Sequence, residues 1–269
     1  MTNDNEAGGA GEAFVLTEVE SGIGWITLNE PRRLNPVTTT RVLELNKACR
    51  VLSERDDVRV VIVTGAGRGF SSGADLDNVP PVGEGPVAGP ASNSMLDAGP
   101  GLWTLTAMRQ PVIAMVNGPA VGYGAELSIQ ADIRVAGEAA KFLLPFSELG
   151  VVSDTGAATW LLPRLVGWSK AAEILYSARV VTAEEGLRIG LYNHVVADDE
   201  LRAFTRDLAL SMAQKSAWSL RQLKQMLFAG LDERKAEHVL GQYVRFAQRD
   251  PDVDIAKYSA KARGGARPS

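Results

Sequence analysis

"VRVVIVTGAGRGFSSGADL", residues 58–76, decides how the chain folds. Its first half is short, apolar and rich in β-branched side chains, which is typical of a buried strand in a parallel sheet. Its second half contains Gly65, Gly67, Gly69 and Gly73, so we expect the strand to end in a tight turn with exposed backbone amides. In α/β proteins the turns at the carboxyl ends of parallel strands carry the function.

The neighbouring segments predict an α/β core around this strand. Ser21-Gly22 separates two short apolar segments, which indicates a β-hairpin. Residues 38–57 place apolar side chains at helical spacing after threonines that suit an N-cap. The remaining strands are predicted at 14–20, 23–29, 111–118 and 131–137.

The last third of the chain, from about residue 155, is predicted to be mostly helical, with long amphipathic stretches over 198–229 and 232–249. Residues 78–94 are rich in proline and glycine and are interpreted as a mobile loop over a site. The predicted domains are a disordered tail at 1–12, an α/β core at 13–197 and a C-terminal helical region at 198–269.

Composition argues against several functional classes. The net charge of -4 and the absence of a basic stretch argue against nucleic acid as a partner. Cys49 is the only cysteine, which rules out an internal disulfide and fits a cytoplasmic location. His194 and His238 lack the spacing of a zinc site, and no apolar run reaches the roughly 18 residues of a membrane helix.

The segment from Gly69 to Gly73 matches the G-x-S-x-G elbow that presents a nucleophilic serine in hydrolases. That elbow needs a helix directly after the serine, and Pro80 and Pro81 stop any helix there. A triad with Asp154 and His194 stays open in principle, but His194 lies in an apolar run that predicts a strand. The dinucleotide fingerprint fails too, because the glycine spacing is wrong.

A second glycine-rich turn, "NGPAVGYGAEL" at 117–127, follows another predicted strand and opens a helix near Gly124. Exposed amides at such turns, and at a helix N-terminus, favour an anionic oxygen. Two donors from two neighbouring strand ends form an oxyanion hole. The paired turns therefore predict an enzyme that stabilises negative charge on a carbonyl oxygen.

Several ordered blocks resemble the crotonase superfamily, the enoyl-CoA hydratases and isomerases. They include "WITLNEPRRLNPVT", residues 58–76, "RQPVIAMVNGPAVGYGAELSIQADIRVAGEAAKF" and "ELGVVSDTGAATWLLPRLVG". The resemblance implies an α/β, crotonase-like (ClpP/crotonase) spiral of ββα units with a C-terminal helical trimerisation region. It also implies a homotrimer or hexamer, an acyl-CoA thioester substrate whose coenzyme A is part of the substrate, no separate cofactor and no metal.

The resemblance assigns residues to the substrate path. The oxyanion hole is expected from the backbone amides of Ser72 and Tyr123, which makes the Ser72 hydroxyl incidental. The Tyr123 side chain either narrows the acyl pocket or packs in the core. The adenine nucleotide end is expected at the loop that contains Arg32 and Arg33. The full set of predicted substrate-binding residues is Arg32, Arg33, Leu34, Ser72, Gly73, Ala74, Asp75, Leu76, Gly122 and Phe146.

Acid–base chemistry is expected from two carboxylates. Glu126 occupies the position of the first glutamate of family hydratases, whereas the second position is Phe146, which cannot transfer protons. Asp154 matches the catalytic aspartate of dienoyl-CoA isomerases and of epoxyphenylacetyl-CoA isomerases. We hypothesise that Asp154 is the shuttling base and Glu126 a second acid or water-orienting group. The alternatives are a helix N-cap for Asp154 and a first-turn helix carboxylate for Glu126.

The predicted function is therefore an enoyl-CoA isomerase with Asp154 as the base. A 2-enoyl-CoA hydratase that uses Glu126 and Asp154 is the closest alternative, and hydrolysis through the same oxyanion hole is another. A non-catalytic acyl-CoA-binding protein is the alternative from a different class. Retention of both carboxylates argues against that last reading.

Overall fold

The computed structural model describes residues 13–75, 103–153 and 155–232. The first described elements form a hairpin, in which two antiparallel strands meet at Ser21 and Gly22. Both turn residues have positive φ, 53° and 80°, as the two-residue turns that suit strand twist require. The strands are β1 (Val15–Glu20), β2 (Ile23–Leu28), β3 (Val60–Gly65), β4 (Val112–Val116), β5 (Pro119–Val121), β6 (Ile133–Gly137), β7 (Lys141–Leu143), β8 (Val181–Thr182) and β9 (His194–Val196).

The strands form two sheets. A six-stranded sheet has the order β1-β2-β3-β4-β6-β9. Its strands β2, β3, β4, β6 and β9 run parallel to one another. A smaller sheet has the order β5-β7-β8. The helices are α1 (Thr39–Glu54), α2 (Tyr123–Gln130), α3 (Ala157–Trp160), α4 (Leu162–Val166), α5 (Trp168–Ser177), α6 (Ala183–Arg188), α7 (Leu201–Ala213) and α8 (Ala217–Ala229), with a short 3-10 helix at Pro31–Arg33.

Strand β3 lies at the centre of the core, since every one of its residues is buried. Alternate side chains of β3 point to opposite faces of the sheet. Val61 and Val63 join the apolar cluster that contains Leu45 of α1. Val60 and Ile62 join a second cluster, which contains Leu201 and other residues of α7. The central strand is therefore covered on both faces, as its uninterrupted apolar sequence predicts.

Helix α8 is fastened to the core by a buried lysine. Lys224 Nζ donates to the carbonyl oxygens of Leu105 (2.9 Å) and Gln110 (3.0 Å) and pairs with Asp132 at 3.0 Å. Burial lowers the pKa of Lys224, and the Asp132 carboxylate opposes that shift. A buried ammonium persists only when it is paired and hydrogen-bonded, so these contacts hold α8 against the core.

The predicted elements are confirmed where the structure describes them. The hairpin, α1 with Thr38 as its N-cap, and the strands near 58–67, 111–118 and 131–137 are all present. His194 begins β9, as its apolar surroundings predict. The tail 1–12, the loop 78–94 and the stretch 233–249 lie outside the described residues. Within the described ranges, none of the helices has the length and apolarity to cross a membrane.

Candidate active site

Two asparagines hold the first glycine corner, which follows β3. The Asn35 side-chain amide donates to the carbonyl oxygens of Ala66 (3.0 Å) and Gly69 (2.9 Å) and accepts the Glu30 N–H at 2.8 Å. Asn117 donates to the Gly67 oxygen at 2.8 Å. Asn35 is fully buried. The turn carbonyls have no strand partner, and the Asn35 amide supplies the hydrogen bonds that buried carbonyl groups need.

The second glycine corner joins β5 to α2. Gly122 has φ 50° and ψ -118°, a conformation that favours glycine, and its N–H donates to the Leu143 oxygen at 2.9 Å. Tyr123 is the first residue of α2, where backbone N–H groups point away from the helix. All residues of this helix are buried. The predicted helix start is thus confirmed within one residue of Gly124.

The two corners are in direct contact. Val121 N–H donates to the Ser71 oxygen at 2.9 Å, and Phe70 N–H donates to the Pro119 oxygen at 3.0 Å. A Cβ placed on Gly73 would collide with the Val121 carbonyl oxygen and lie 3.3 Å from the Tyr123 nitrogen. Glycine is therefore required at position 73 for this approach. The geometry brings the amides of the first corner beside the N-terminus of α2.

One predicted donor is corrected by this geometry. The Ser72 N–H donates to the Leu34 carbonyl oxygen at 2.7 Å, so it is not available to a thioester oxygen. Ala74 differs, because it pairs with Val37 through the Gly73 oxygen and the Asp75 N–H, which leaves its own N–H on the opposite side. Ala74 is exposed, and its N–H has no hydrogen-bond partner within the described ranges.

The predicted nucleotide-binding loop is tied to the same corner. Both guanidinium NH groups of Arg33 donate to the Asp75 carboxylate, at 2.9 and 2.8 Å. The Asp75 side chain is 4% exposed and that of Arg33 is 43% exposed, so the pair fixes the 3-10 helix against the corner. Arg32 is exposed and makes neither a hydrogen bond nor an ion pair to the rest of the described chain.

Glu126 lies one helical turn after Tyr123 and is 0% exposed. One carboxylate oxygen accepts from the Ser153 hydroxyl and from the Ala158 N–H at 2.9 Å. The other accepts from the Thr155 N–H at 3.3 Å. The predicted first-turn carboxylate of α2 therefore contacts the turn that precedes α3, a contact that the sequence pattern did not indicate.

The other predicted residues divide into three groups. The Phe146 side chain belongs to the large apolar cluster of the core. Gly122 lies at the second corner, and Asp154 and Leu76 fall outside the described residues. The N-cap position of α3 is Gly156.

Sequence reasoning missed Asn35, Asn117 and Ser153. Each is a polar residue in a loop next to a predicted strand or turn, which is the only signal that the sequence offers for them. Their partners are distant in the chain, so the hydrogen bonds follow from the fold. Among the residues that the structure describes, no group of three potential metal ligands comes together.

Known proteins are similar to this chain in both sequence and architecture. The family profile described as enoyl-CoA hydratase/isomerase matches residues 18–257. A 1,2-epoxyphenylacetyl-CoA isomerase of Escherichia coli is 36% identical over 216 residues, which cover 80% of this chain and 81% of the relative. A probable enoyl-CoA hydratase, EchA12 of Mycobacterium tuberculosis, is 40% identical over 220 residues and covers 80% and 76%.

Solved structures that resemble this chain include an enoyl-CoA isomerase and an enoyl-CoA hydratase subunit. A monofunctional enoyl-CoA isomerase of Mycobacterium smegmatis superposes with a TM-score of 0.70 at 34% identity, over 84% of this chain and 97% of that one. A Geobacillus kaustophilus enoyl-CoA hydratase subunit reaches a TM-score of 0.81 at 29% identity, over 96% and 97%. With its two hydrogen-bonded glycine corners, the chain belongs to the enoyl-CoA hydratase/isomerase family of the crotonase superfamily.

Proposed function

We propose that the protein is an enoyl-CoA isomerase that moves a double bond along an acyl-CoA thioester. The observation that carries the proposal is the contact between the two glycine corners. They approach so closely that a Cβ added to Gly73 would lie 3.3 Å from the Tyr123 nitrogen. That contact supports a site in which the thioester oxygen lies between Ala74 N–H and Tyr123 N–H. Family membership supports the acyl-CoA substrate.

The two amides make the substrate acidic. In a 3-enoyl thioester, removal of a proton from C2 pushes negative charge onto the carbonyl oxygen. Preorganised N–H donors stabilise that oxygen and each contributes about 3 to 4 kcal/mol to the transition state. The N-terminus of α2 adds a favourable dipole at the Tyr123 end. The enolate is therefore a bound intermediate.

Asp154 is proposed as the base that completes the shift. Its carboxylate takes the proton from C2 and returns it to C4, so the double bond moves from C3–C4 to C2–C3 and the molecular mass stays the same. One carboxylate is sufficient, because it leaves the cycle in the form in which it entered. Arg32 and Arg33 are proposed to meet the phosphates of the coenzyme A portion.

Hydration of a 2-enoyl-CoA is the second candidate. The presence of Glu126 and the 40% identity with a probable enoyl-CoA hydratase favour it. Hydration, however, needs a group that holds and activates water as well as a proton donor for C2. Glu126 was predicted for that task, yet both of its oxygens bind the turn before α3, and we therefore rank hydration below isomerisation.

Product analysis separates these functions. The protein is incubated with 2-enoyl-, 3-enoyl- and dienoyl-CoA panels, and products are followed by mass and ultraviolet absorbance. An isomerase is expected to convert 3-enoyl- to 2-enoyl-CoA with unchanged mass and a gain of conjugated-thioester absorbance. A gain of one water would contradict the isomerase in favour of the hydratase, and binding without turnover would favour the non-catalytic alternative.

Replacing Ser72 by alanine is expected to lower kcat by less than about tenfold, because a neutral hydrogen bond contributes about 1 kcal/mol. The Ser72 hydroxyl donates to the Arg33 carbonyl oxygen at 3.2 Å, and that single contact is lost. The measurement is steady-state turnover of the best substrate in the panel. A nucleophilic serine would instead make Ser72→Ala inactive, which would contradict the oxyanion account.

A further inference from the structure

The carboxyl group of Glu126 is buried and hydrogen-bonded, and the isomerisation proposed above does not use it. Glu126 is a fully buried carboxylate on the helix that begins at the oxyanion corner, and its partners in the described chain are Ser153, Thr155 and Ala158. We propose that Glu126 is a positioning residue: its carboxylate holds the turn from Ser153 to Ala158 in place and does not exchange protons with the substrate. This inference rests on the proposed function, in which Asp154, the residue between Ser153 and Thr155 in the sequence, is the base.

The first argument is the direction of the hydrogen bonds. Backbone N–H groups only donate, so Glu126 acts as an acceptor toward Thr155 and Ala158. The oxygen bound to Ala158 also accepts from the Ser153 hydroxyl. Both oxygens therefore contact residues 153–158, and three of the roughly four acceptor sites of the carboxylate are occupied there. Two of the three partners are backbone amides, which hold the carboxylate in place and offer it no proton to exchange.

The second argument is that the N–H groups of all four residues 155–158 have partners. The N–H groups of residues 155–158 would otherwise be orphaned at the start of α3. Thr155 and Ala158 donate to Glu126, Gly156 donates to Ser153 Oγ at 3.0 Å, and Ala157 donates to Thr155 Oγ1 at 3.1 Å. Removal of the carboxylate leaves two buried amides unsatisfied at once, which is costlier than losing one bond.

The third argument is that Glu126 binds the residues on both sides of Asp154 in the sequence. Ser153 and Thr155 are its two neighbours in the chain, and both bind Glu126. The Thr155 carbonyl oxygen is in addition held by the Trp103 indole N–H at 2.8 Å. Among the described residues, no lysine or arginine forms an ion pair with Glu126, and its hydrogen-bond partners there are amides and a hydroxyl of residues 153–158.

The test compares Glu126→Gln, Ser153→Ala and Ser153→Thr with the wild type, and measures kcat and KM against pH for 3-enoyl-CoA conversion. A positioning role predicts that Glu126→Gln and Ser153→Ala each lower kcat about tenfold with little change in KM and an unchanged pH profile. Ser153→Thr keeps the hydroxyl and is expected to recover most of the activity. Glu173→Gln, a surface carboxylate paired with Lys170, serves as the matched control.

The double variant adds a second criterion. If Glu126 acts through Ser153, Glu126→Gln combined with Ser153→Ala is expected to lower kcat by much less than the product of the two single effects. The inference would be overturned if Glu126→Gln lost one limb of the kcat–pH profile while Ser153→Ala kept a kcat close to that of the wild type. Should Glu126→Gln fail to fold, the contrast between Ser153→Ala and Ser153→Thr decides. An inactive wild type would refute the proposed function, and this inference with it.

Discussion

Replacing Asp154 by asparagine is expected to lower kcat for isomerisation by about 10²- to 10⁴-fold, the range that a positioned acid–base group contributes. Asparagine has nearly the same size but cannot accept the C2 proton at neutral pH. KM is expected to change little, because the carboxylate acts after the thioester is bound. The measurement is the initial rate of conjugated-thioester formation from 3-enoyl-CoA at saturating substrate.

A surface aspartate provides the matched control for this variant. Asp57 forms an exposed ion pair with Arg55 at 2.6 Å, and exposed pairs contribute little to stability. Asp57→Asn is therefore expected to keep full turnover. Wild-type turnover of Asp154→Asn, with the same thermal midpoint as the parent, would remove Asp154 from the mechanism and would leave the hydratase reading without its second carboxylate as well.

Replacing Ala74 by proline is the second prediction with a large effect, because proline has no N–H. The loss of one oxyanion donor is expected to lower kcat by about 10²- to 10³-fold. The pairing with Val37 uses the Gly73 oxygen and the Asp75 N–H, so the substitution removes no backbone hydrogen bond of the fold. Turnover of 3-enoyl-CoA by the proline variant is the measurement.

Two further variants separate the missing donor from a distorted chain. Ala74→Ser keeps the N–H and is expected to keep kcat within about tenfold of wild type. Incorporation of lactic acid at position 74 replaces only the N–H by an ester oxygen and is expected to reproduce the proline result. If the ester variant turned over like the wild type, Ala74 would not be a donor, and the correction made from Ser72 to Ala74 would be wrong.

The positions of the site elements could be predicted from sequence, but the directions of their amides could not. β-Branched runs that end in glycines predict strands and corners directly, and both corners lie where the pattern places them. Whether Ser72 or Ala74 points outward depends on pairing with Leu34 and Val37. Leu34 has a positive φ of 61°, a backbone conformation that side-chain periodicity does not reveal.

The hydrogen-bond partners of Glu126 could not be predicted from the sequence for a related reason. Its place in the first turn of α2 could be predicted, and a first-turn carboxylate is favoured by the helix dipole. Its partners lie 27 to 32 residues further along the chain, in a turn that has no periodic pattern. Long-range hydrogen bonds of this kind depend on how two helices are packed, so the sequence alone does not show which groups a first-turn glutamate binds.

The central claim is that two backbone N–H groups polarise the thioester carbonyl, and infrared difference spectroscopy tests it most directly. A saturated acyl-CoA labelled with carbon-13 at the thioester carbonyl is bound to the wild type and to Ala74→Pro. The account predicts a carbonyl stretch at lower frequency in the wild type than in water, with part of that shift lost in Ala74→Pro. A bound carbonyl that vibrates as it does in water, in both proteins, would contradict the account.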